Sequence, residues 1–182
     1  MKVQLKNVRA SFVNVHRKSA VGDGEPDYNM AALFPPGHPA EKIMNDAIDA
    51  AAKEKWADKA PGILKQLRAA GKVALKDGNT KSYDGYADQL FVSTRRSRRP
   101  KVVDKDGRTE LTEEDGKPYS GCIVNLSLMI WAQDNAFGKR VNAEIKGVQF
   151  VRDGDPFGGG GAPIGDDEFE SVVDEGDDAD LV

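Results

Sequence analysis

Residues 119–131 carry the pattern that most narrows what this chain can fold into. Apolar and mixed side chains alternate there without interruption: Cys122, Val124, Leu126, Leu128 and Ile130 form one series, and Asn125, Ser127, Met129 and Trp131 fall between them. Successive side chains of a β-strand point to opposite faces, so the segment predicts a strand with one face in a core. The second, mixed face is predicted to lie at the surface, where it is available for binding. The chain must therefore build a sheet that is buried on one side.

Shorter alternating segments predict further strands over residues 2–12, 28–34, 89–95 and 141–152. In the first of these, Val8, Ala10 and Phe12 are predicted to face the core, and residues 16–26 to form a long loop that is basic at its start. In the last strand the alternation changes phase at Gly147, which indicates a β-bulge. Asp106-Gly107 predicts a hairpin turn.

Two helical segments interrupt this series of strands. Met44, Ile48, Ala52 and Trp56 recur every four residues after Pro39, which predicts an amphipathic helix, and Pro61 opens a second, shorter one. The fold class predicted is mainly β with a helical insertion: an OB-like antiparallel barrel followed by a disordered acidic C-terminal tail. A two-layer α+β sandwich is the alternative. The predicted domains are an OB-like nucleic-acid-binding domain over residues 1–152, with the insertion at about 39–71, and a glycine-rich linker and acidic tail over 153–182.

The residues of this chain do not form any motif that is typical of a catalytic site. The two histidines, His16 and His38, are assigned to loops and lack a partner at metal-ligand spacing. The glycines at 158–161 are not followed by the Lys-Ser/Thr of a phosphate-binding loop, and Cys122 lies on the apolar strand face, where packing is expected. We therefore expect no enzymatic activity, no catalytic residues, no metal and no cofactor.

Basic and aromatic side chains gather around the strand at 89–95. The segment 95–101, RRSRRPK, places five cations in seven residues at the end of that strand, and Phe91 is predicted to lie on its outer face. Cations neutralise phosphates and exposed rings stack on bases, so this combination is typical of single-stranded nucleic-acid binding. The alternative for the cations is a solvated loop, and for Trp131 a ring that closes the core. The predicted nucleic-acid-binding residues are Arg17, Lys18, Tyr83, Tyr86, Phe91, Arg95, Arg96, Arg98, Arg99, Lys101, Trp131, Phe137, Lys139 and Arg140.

Charge divides this chain into a basic body and an acidic tail. Residues 153–182 hold 11 of the 30 acidic side chains and none of the 26 basic ones, which leaves the body with a net charge of about +7. A basic body usually binds a polyanionic partner. The tail is then predicted to compete for the same site within the molecule and to bind other proteins. The residues predicted to grip protein partners are Phe169, Asp177, Asp178, Asp180, Leu181 and Val182.

Three segments resemble the phage-encoded single-stranded DNA-binding proteins with an OB fold. They are RRPKVVDKDG at 98–107, YSGCIVNLSL at 119–128, and KGVQFVRDGDPFGGGG at 146–161 followed by the acidic tail. The resemblance spans most of residues 1–161 and implies an accessory protein of replication and recombination that coats transient single strands. In such families the acidic C-terminus contacts replication proteins and competes with DNA. Many relatives end in an aromatic residue, whereas this chain ends Asp180-Leu181-Val182.

Other functions stay open at this point. The tail could mimic DNA and block a nuclease or polymerase, and a barrel of this kind could serve an RNA-binding regulator. No apolar segment is long enough to span a membrane, and the single cysteine suits a reducing compartment, so the expected location is the cytoplasm of an infected bacterial host. The expected partners are single-stranded DNA and replication or recombination proteins. A homodimer remains an option because one barrel offers only a short binding site.

Overall fold

The computed structural model describes residues 1–20 and 22–157, and within them seven strands and two α-helices. The strands are β1 (Lys2–Ser19), β2 (Asp27–Phe34), β3 (Leu75–Asp77), β4 (Leu90–Arg96), β5 (Lys101–Val103), β6 (Ile123–Asn135) and β7 (Gly138–Arg152). The helices α1 (Pro39–Trp56) and α2 (Ala60–Ala69) both lie between β2 and β3. No helix in the described ranges is long and apolar enough to cross a bilayer.

Five of the strands close into a barrel. The sheet order is β3-β4-β2-β1-β6-β7-β5, and a parallel bridge from Arg95 of β4 to Glu144 of β7 joins two strands that are distant in this order. β1, β2, β4, β6 and β7 thus form a continuous ring with the strand connectivity of an OB fold. The predicted OB-like barrel with a helical insertion is confirmed, and the two-layer sandwich is not what the chain forms.

The barrel interior is filled by the apolar series that the alternation predicted. Leu126, Leu128 and Ile130 of β6 are fully buried or nearly so, together with side chains of the other barrel strands. Helix α1 begins at Pro39, with the His38 ring accepting a hydrogen bond from the Ala40 amide at its N-terminus, and it packs on β1 and β6. Trp56 ends this helix in the core, and its Nε1 donates to Asp134 Oδ2 of β6 at 2.9 Å.

Strand β1 departs from the prediction in two ways. It extends to Ser19, so His16, Arg17 and Lys18 lie in a strand and not in a loop. Phe12, predicted to face the core, is 41% exposed. The reason is a register shift between Ser11 and Asn14. Ser11 pairs with Ala31 and Asn14 with Asn29, so β1 advances three residues while β2 advances two, and Phe12 has a φ of 48°. A bulge of this kind adds one residue and reverses the faces beyond it.

Similar irregularities bend the other long strands. β1 has another register shift against β6 between Leu5 and Val8. The bulge predicted at Gly147 is confirmed, because Ser127 pairs with Gly147 while the next residue, Leu128, pairs with Ile145. Bulges increase local twist, which a sheet of long strands needs if it is to close.

Candidate nucleic-acid interface

Strands β1, β2 and β4 present a continuous outer surface, which we call the outer face. Because core residues alternate with their neighbours, the side chains of Arg9, Leu33 and Phe91 point away from the barrel interior. These three are cross-strand partners in one row, Arg9 with Leu33 and Leu33 with Phe91. A second row of partners, Asn14, Asn29 and Arg95, lies about 13 Å further along the strands.

A small apolar cluster covers the first of these rows. It consists of Leu33, Tyr86, Phe91 and Phe157 and is separate from the barrel core. Tyr86 comes from the loop between β3 and β4; its ring centroid lies 5.2 Å from that of Phe91, and its hydroxyl donates to Ser11 Oγ at 3.0 Å. Burial is the main cause that raises the pKa of the Tyr86 hydroxyl above its usual value.

The expectation that the Phe91 ring is exposed to solvent is therefore wrong, and Tyr86 is also buried. Both rings were candidates for base stacking, and neither has a free face in this conformation. Alternation placed Phe91 correctly on the outside of the barrel. It could not show that the loop before β4 folds back and covers that position.

Two rings beside this cluster remain accessible. Tyr83 is 49% exposed, and its centroid lies 4.9 Å from that of Phe12 in an edge-to-face arrangement. Tyr83 also contacts Tyr86 edge-to-face at 5.2 Å, so the exposed pair is braced by the buried cluster. Tyr83 was among the predicted residues and Phe12 was not, because the bulge that turns Phe12 outward has no glycine or proline to mark it.

Lys76 of β3 adds a cation to the outer face. Its Nζ lies 3.4 Å from Ser93 Oγ and 5.8 Å from the centre of the Phe91 ring. Burial lowers the pKa of Lys76, and the positive charges of Arg140 and Lys81 lower it further. Arg140 and Lys81 thus oppose the positive charge of Lys76 beside the outer face, and a bound phosphate would relieve that repulsion. Lys76 and Lys81 were not among the predicted residues.

The basic segment at 95–101 does not form one uniform patch. Arg95 Nε lies 2.7 Å from Asp27 Oδ2, and the largely buried Arg96 lies 3.2 Å from Glu144 Oε1 without hydrogen-bond geometry. Arg99 contacts His16 Nδ1 at 3.2 Å and the Leu111 carbonyl at 3.4 Å. Only Arg98 and Lys101 are exposed and make neither an ion pair nor a side-chain hydrogen bond within residues 1–20 and 22–157.

Arg17 and Lys18, which were predicted to lie in a loop, are near the end of β1 and close to this segment, since β1 and β2 pair up to Ser19 and Asp27. Arg17 is exposed and forms an ion pair with Glu113, with its Nε 2.6 Å from Oε1. Lys18 places its Nζ 5.8 Å from the centre of the Tyr28 ring. Both can reach a ligand only at this end of the barrel, beyond the Asn14–Asn29–Arg95 row.

The hairpin of β6 and β7 carries the remaining predicted residues. Trp131 is 42% exposed on β6, so it does not close the core, and Phe137 at the turn is 90% exposed. Lys139 Nζ lies 3.9 Å from Asp134 Oδ1, and Arg140 is exposed. β6 flanks β1 on the side away from β2, so Trp131 is not part of the outer face. Arg140 links the hairpin to the outer face, because its positive charge lowers the pKa of Lys76.

The tail residues predicted to grip protein partners, Phe169, Asp177, Asp178, Asp180, Leu181 and Val182, lie outside the described residues. The structure describes the beginning of the predicted tail, residues 153–157. Phe157 in this segment is buried in the apolar cluster with Leu33, Tyr86 and Phe91. In residues 1–20 and 22–157 there is no group of three or more His, Cys, Asp or Glu that could hold a metal ion.

Comparison with known proteins gives a consistent result. The family model described as the ssDNA-binding protein of Enterobacter phage Enc34 matches residues 1–182. Protein p50 of Acyrthosiphon pisum secondary endosymbiont phage 1 is 39% identical over 170 residues, which cover 88% of this chain and 89% of that protein.

Solved structures show the same barrel. The single-stranded DNA-binding protein from bacteriophage Enc34 in complex with ssDNA matches with a TM-score of 0.73 and 28% identity, covering 86% of this chain and 89% of that one. The single-stranded DNA-binding protein gp2.5 of bacteriophage T7 matches with a TM-score of 0.58 over 93% of this chain and 97% of its own, and at 14% identity that likeness concerns the fold alone.

Proposed function

This chain belongs to the family of the Enterobacter phage Enc34 ssDNA-binding protein, and from that membership we propose that it binds and coats single-stranded DNA during phage replication and recombination. The observation that carries the proposal is the related barrel in complex with ssDNA, which is 28% identical over 86% of this chain. The protein acts by binding and not by catalysis. It works in the cytoplasm of the infected host, where phage DNA is copied.

The outer face is the proposed DNA site. In OB folds the second and third barrel strands bind oligonucleotides, and here these are β2 and β4. Phe12 and Tyr83 offer rings for stacking, Lys76 and Arg140 offer charge for phosphates, and Arg98 lies at the far end. Stacking on rings without reading base edges gives binding that tolerates any sequence.

The predicted residues outside the outer face take secondary roles in this proposal. Trp131, Phe137 and Lys139 on the hairpin extend the site past Arg140. Arg17, Lys18, Arg95, Arg99 and Lys101 extend it at the opposite end of the barrel. Tyr86 and Phe91 are buried, Arg96 is partly buried, and these three support the site from beneath. A strand crossing the whole length would contact both ends.

We also propose that the acidic tail competes with DNA and recruits replication proteins. Its 11 acidic side chains oppose a body with a net charge of about +7, so tail and DNA attract the same surface. Bound DNA would displace the tail and leave its carboxylates and Phe169 available to a partner protein. Coating of DNA and recruitment of partners would then be linked.

Titration of fluorescent oligonucleotides with the full-length protein at several salt concentrations tests the proposed function. We expect tight binding to single-stranded DNA of any sequence, with a log–log salt slope of about −0.7 for each phosphate contacted. Duplex DNA and RNA of the same sequence serve as the comparison ligands. A preference for duplex, or an affinity independent of salt, would overturn DNA coating, and a preference for RNA would favour an RNA-binding regulator instead.

A further inference from the structure

Phe157 fills a flat slot on the outer face. On one side the guanidinium carbon of Arg9 lies 3.8 Å from the centre of the Phe157 ring. Gly85 lies at the edge of the ring, where an added Cβ would overlap Phe157 Cε1. Leu33, Tyr86 and Phe91 complete the apolar surroundings of the ring. The slot therefore holds one planar ring with its face against a guanidinium group and its edge against the backbone of a glycine.

A short segment holds Phe157 in this slot. β7 ends at Arg152, and residues 153–157 have no regular secondary structure. Tyr119 Oη donates to Asp153 Oδ1 at 2.6 Å and accepts from the Gly154 amide at 3.2 Å. The Phe157 amide donates to the Ser120 carbonyl at 3.3 Å, and Arg9 Nη2 donates to the Asp155 carbonyl. None of these bonds pairs one barrel strand with another, so the segment can leave while the strands stay paired.

We propose that this slot is a binding site for one base of the bound DNA strand, and that the base and Phe157 exclude each other. The proposal rests on the proposed function, because it places a base of that DNA on the outer face. A nucleobase is a planar ring that stacks on arginine guanidinium groups and aromatic side chains, which is the environment that Phe157 occupies. The neighbouring Phe12–Tyr83 pair would receive the adjacent base.

Exchange of this kind would also move the start of the acidic tail. Residues 153–157 lie directly before the glycine-rich segment at 158–161, and the tail follows it in the sequence. A base that takes the slot therefore detaches the segment from Tyr119, Ser120 and Arg9. The slot would couple DNA binding to the release of the tail by sterics, in addition to the charge competition proposed above.

Hydrogen exchange of the full-length wild-type protein, with and without an oligo-dT strand, tests the site without any mutation. We expect the Phe157 amide to exchange several-fold faster when DNA is bound, because its bond to the Ser120 carbonyl is lost. Strand amides of β2 and β4 serve as internal controls and should not accelerate. Bound DNA with unchanged or slower exchange at Phe157 would overturn this site alone. Absence of any oligonucleotide binding would overturn the proposed function and this site with it.

Two substitutions separate competition from structural support. F157A should bind oligo-dT several-fold more tightly than wild type at a salt concentration that screens the tail, because the competing ring is gone. F157L, which keeps an apolar side chain in the slot without a planar ring, is the matched control and should fall between them. Weaker or equal binding by a folded F157A protein would contradict competition.

Arg9 provides the second half of this test. In the F157A background, R9K keeps the charge but removes the planar stacking surface, so it should lower the affinity about tenfold. The salt slope should remain unchanged because the number of cations is the same. An R9K effect that appears only as a smaller salt slope, or no effect at all, would show that Arg9 does not stack on a base.

Discussion

At the residue scale, Phe12 and Tyr83 have free surface, unlike the neighbouring rings of Tyr86, Phe91 and Phe157. Their edge-to-face contact at 4.9 Å holds both rings in place, while Tyr86 and Phe91 beneath them are buried. A ring that is already ordered loses little conformational entropy when a base stacks on it. The pair is therefore the part of the site where a single substitution should be most informative.

Replacing Tyr83 or Phe12 with alanine should weaken single-stranded DNA binding without changing its salt dependence. Each lost stacking contact is worth about 1–3 kcal/mol, which corresponds to an affinity reduced by about five- to 150-fold. The melting temperature should change little, because nearly half of each residue's surface is already exposed. Oligonucleotide titration at several salt concentrations gives both quantities. An altered salt slope would mean that the ring positions a phosphate contact and does not stack.

Lys76 should contribute charge and not stacking. K76Q is expected to reduce the magnitude of the log–log salt slope by about 0.7, because one phosphate contact is lost. K42Q is the matched control, since Lys42 is an exposed lysine on α1 that pairs with Asp46, away from the outer face. If both variants change the slope equally, the effect is one of net charge, and the cluster of Lys76, Lys81 and Arg140 has no special role.

At the element scale, the β6–β7 hairpin is the most exposed feature that carries predicted binding residues. Its strand β6 is tied to helix α1 by the hydrogen bond from Trp56 to Asp134, near the end of the strand. Trp131 and Phe137 thus project from an element that is held to helix α1 close to its exposed turn. This geometry presents both rings at fixed positions to a strand that extends beyond the outer face.

Tryptophan fluorescence can test whether the hairpin contacts DNA. The chain has two tryptophans, so W56F leaves Trp131 as the sole reporter, and its emission should be quenched by oligo-dT as a base approaches. The reciprocal variant, W131F, retains only the buried Trp56 and should show no quenching. W56F loses one hydrogen bond, a cost of about 1 kcal/mol, so folding is checked by thermal unfolding. Equal quenching in both variants would count against a specific contact at Trp131.

At the scale of the whole molecule, the tail divides into two parts with different physical roles. Residues 153–157 pack against the barrel through Phe157, Tyr119 and Arg9. Residues 158–182 hold nine of the 11 acidic side chains of the tail and act, in our proposal, through charge. The domain boundary predicted at residue 152 stays a prediction. Packing of Phe157 against the barrel favours a boundary after residue 157 instead.

Two truncated proteins should therefore behave differently. The 1–157 protein should bind DNA more tightly than full length at low salt and equally at high salt, because screening removes the charge competition. The 1–152 protein, which corresponds to deletion of 153–182, should bind more tightly at every salt concentration because Phe157 is also absent. Titration of all three proteins with one oligonucleotide makes the comparison. Identical affinities would remove the competitor role of the tail.

Several features of this molecule could be predicted from local pattern. The alternation at 122–130 placed the core face of β6, the four-residue spacing from Met44 to Trp56 placed α1, and Gly147 marked a bulge. Trp131 lies at the surface on the mixed face of β6, as the same alternation predicted. In each case, burial of one face leaves a periodic trace in the sequence, and that trace survives without knowledge of the partner strands.

Other features depended on contacts between distant parts of the chain. The bulge that turns Phe12 outward, the loop that buries Tyr86 and Phe91, and the ion pairs that occupy Arg95 and Arg96 have no local signature. The sequence by itself determined a mainly β chain with helices inserted after its second strand, because periodicity reports which side of each element is buried. Only the tertiary structure decided which rings and cations remain free to bind, because accessibility depends on what folds over each side chain.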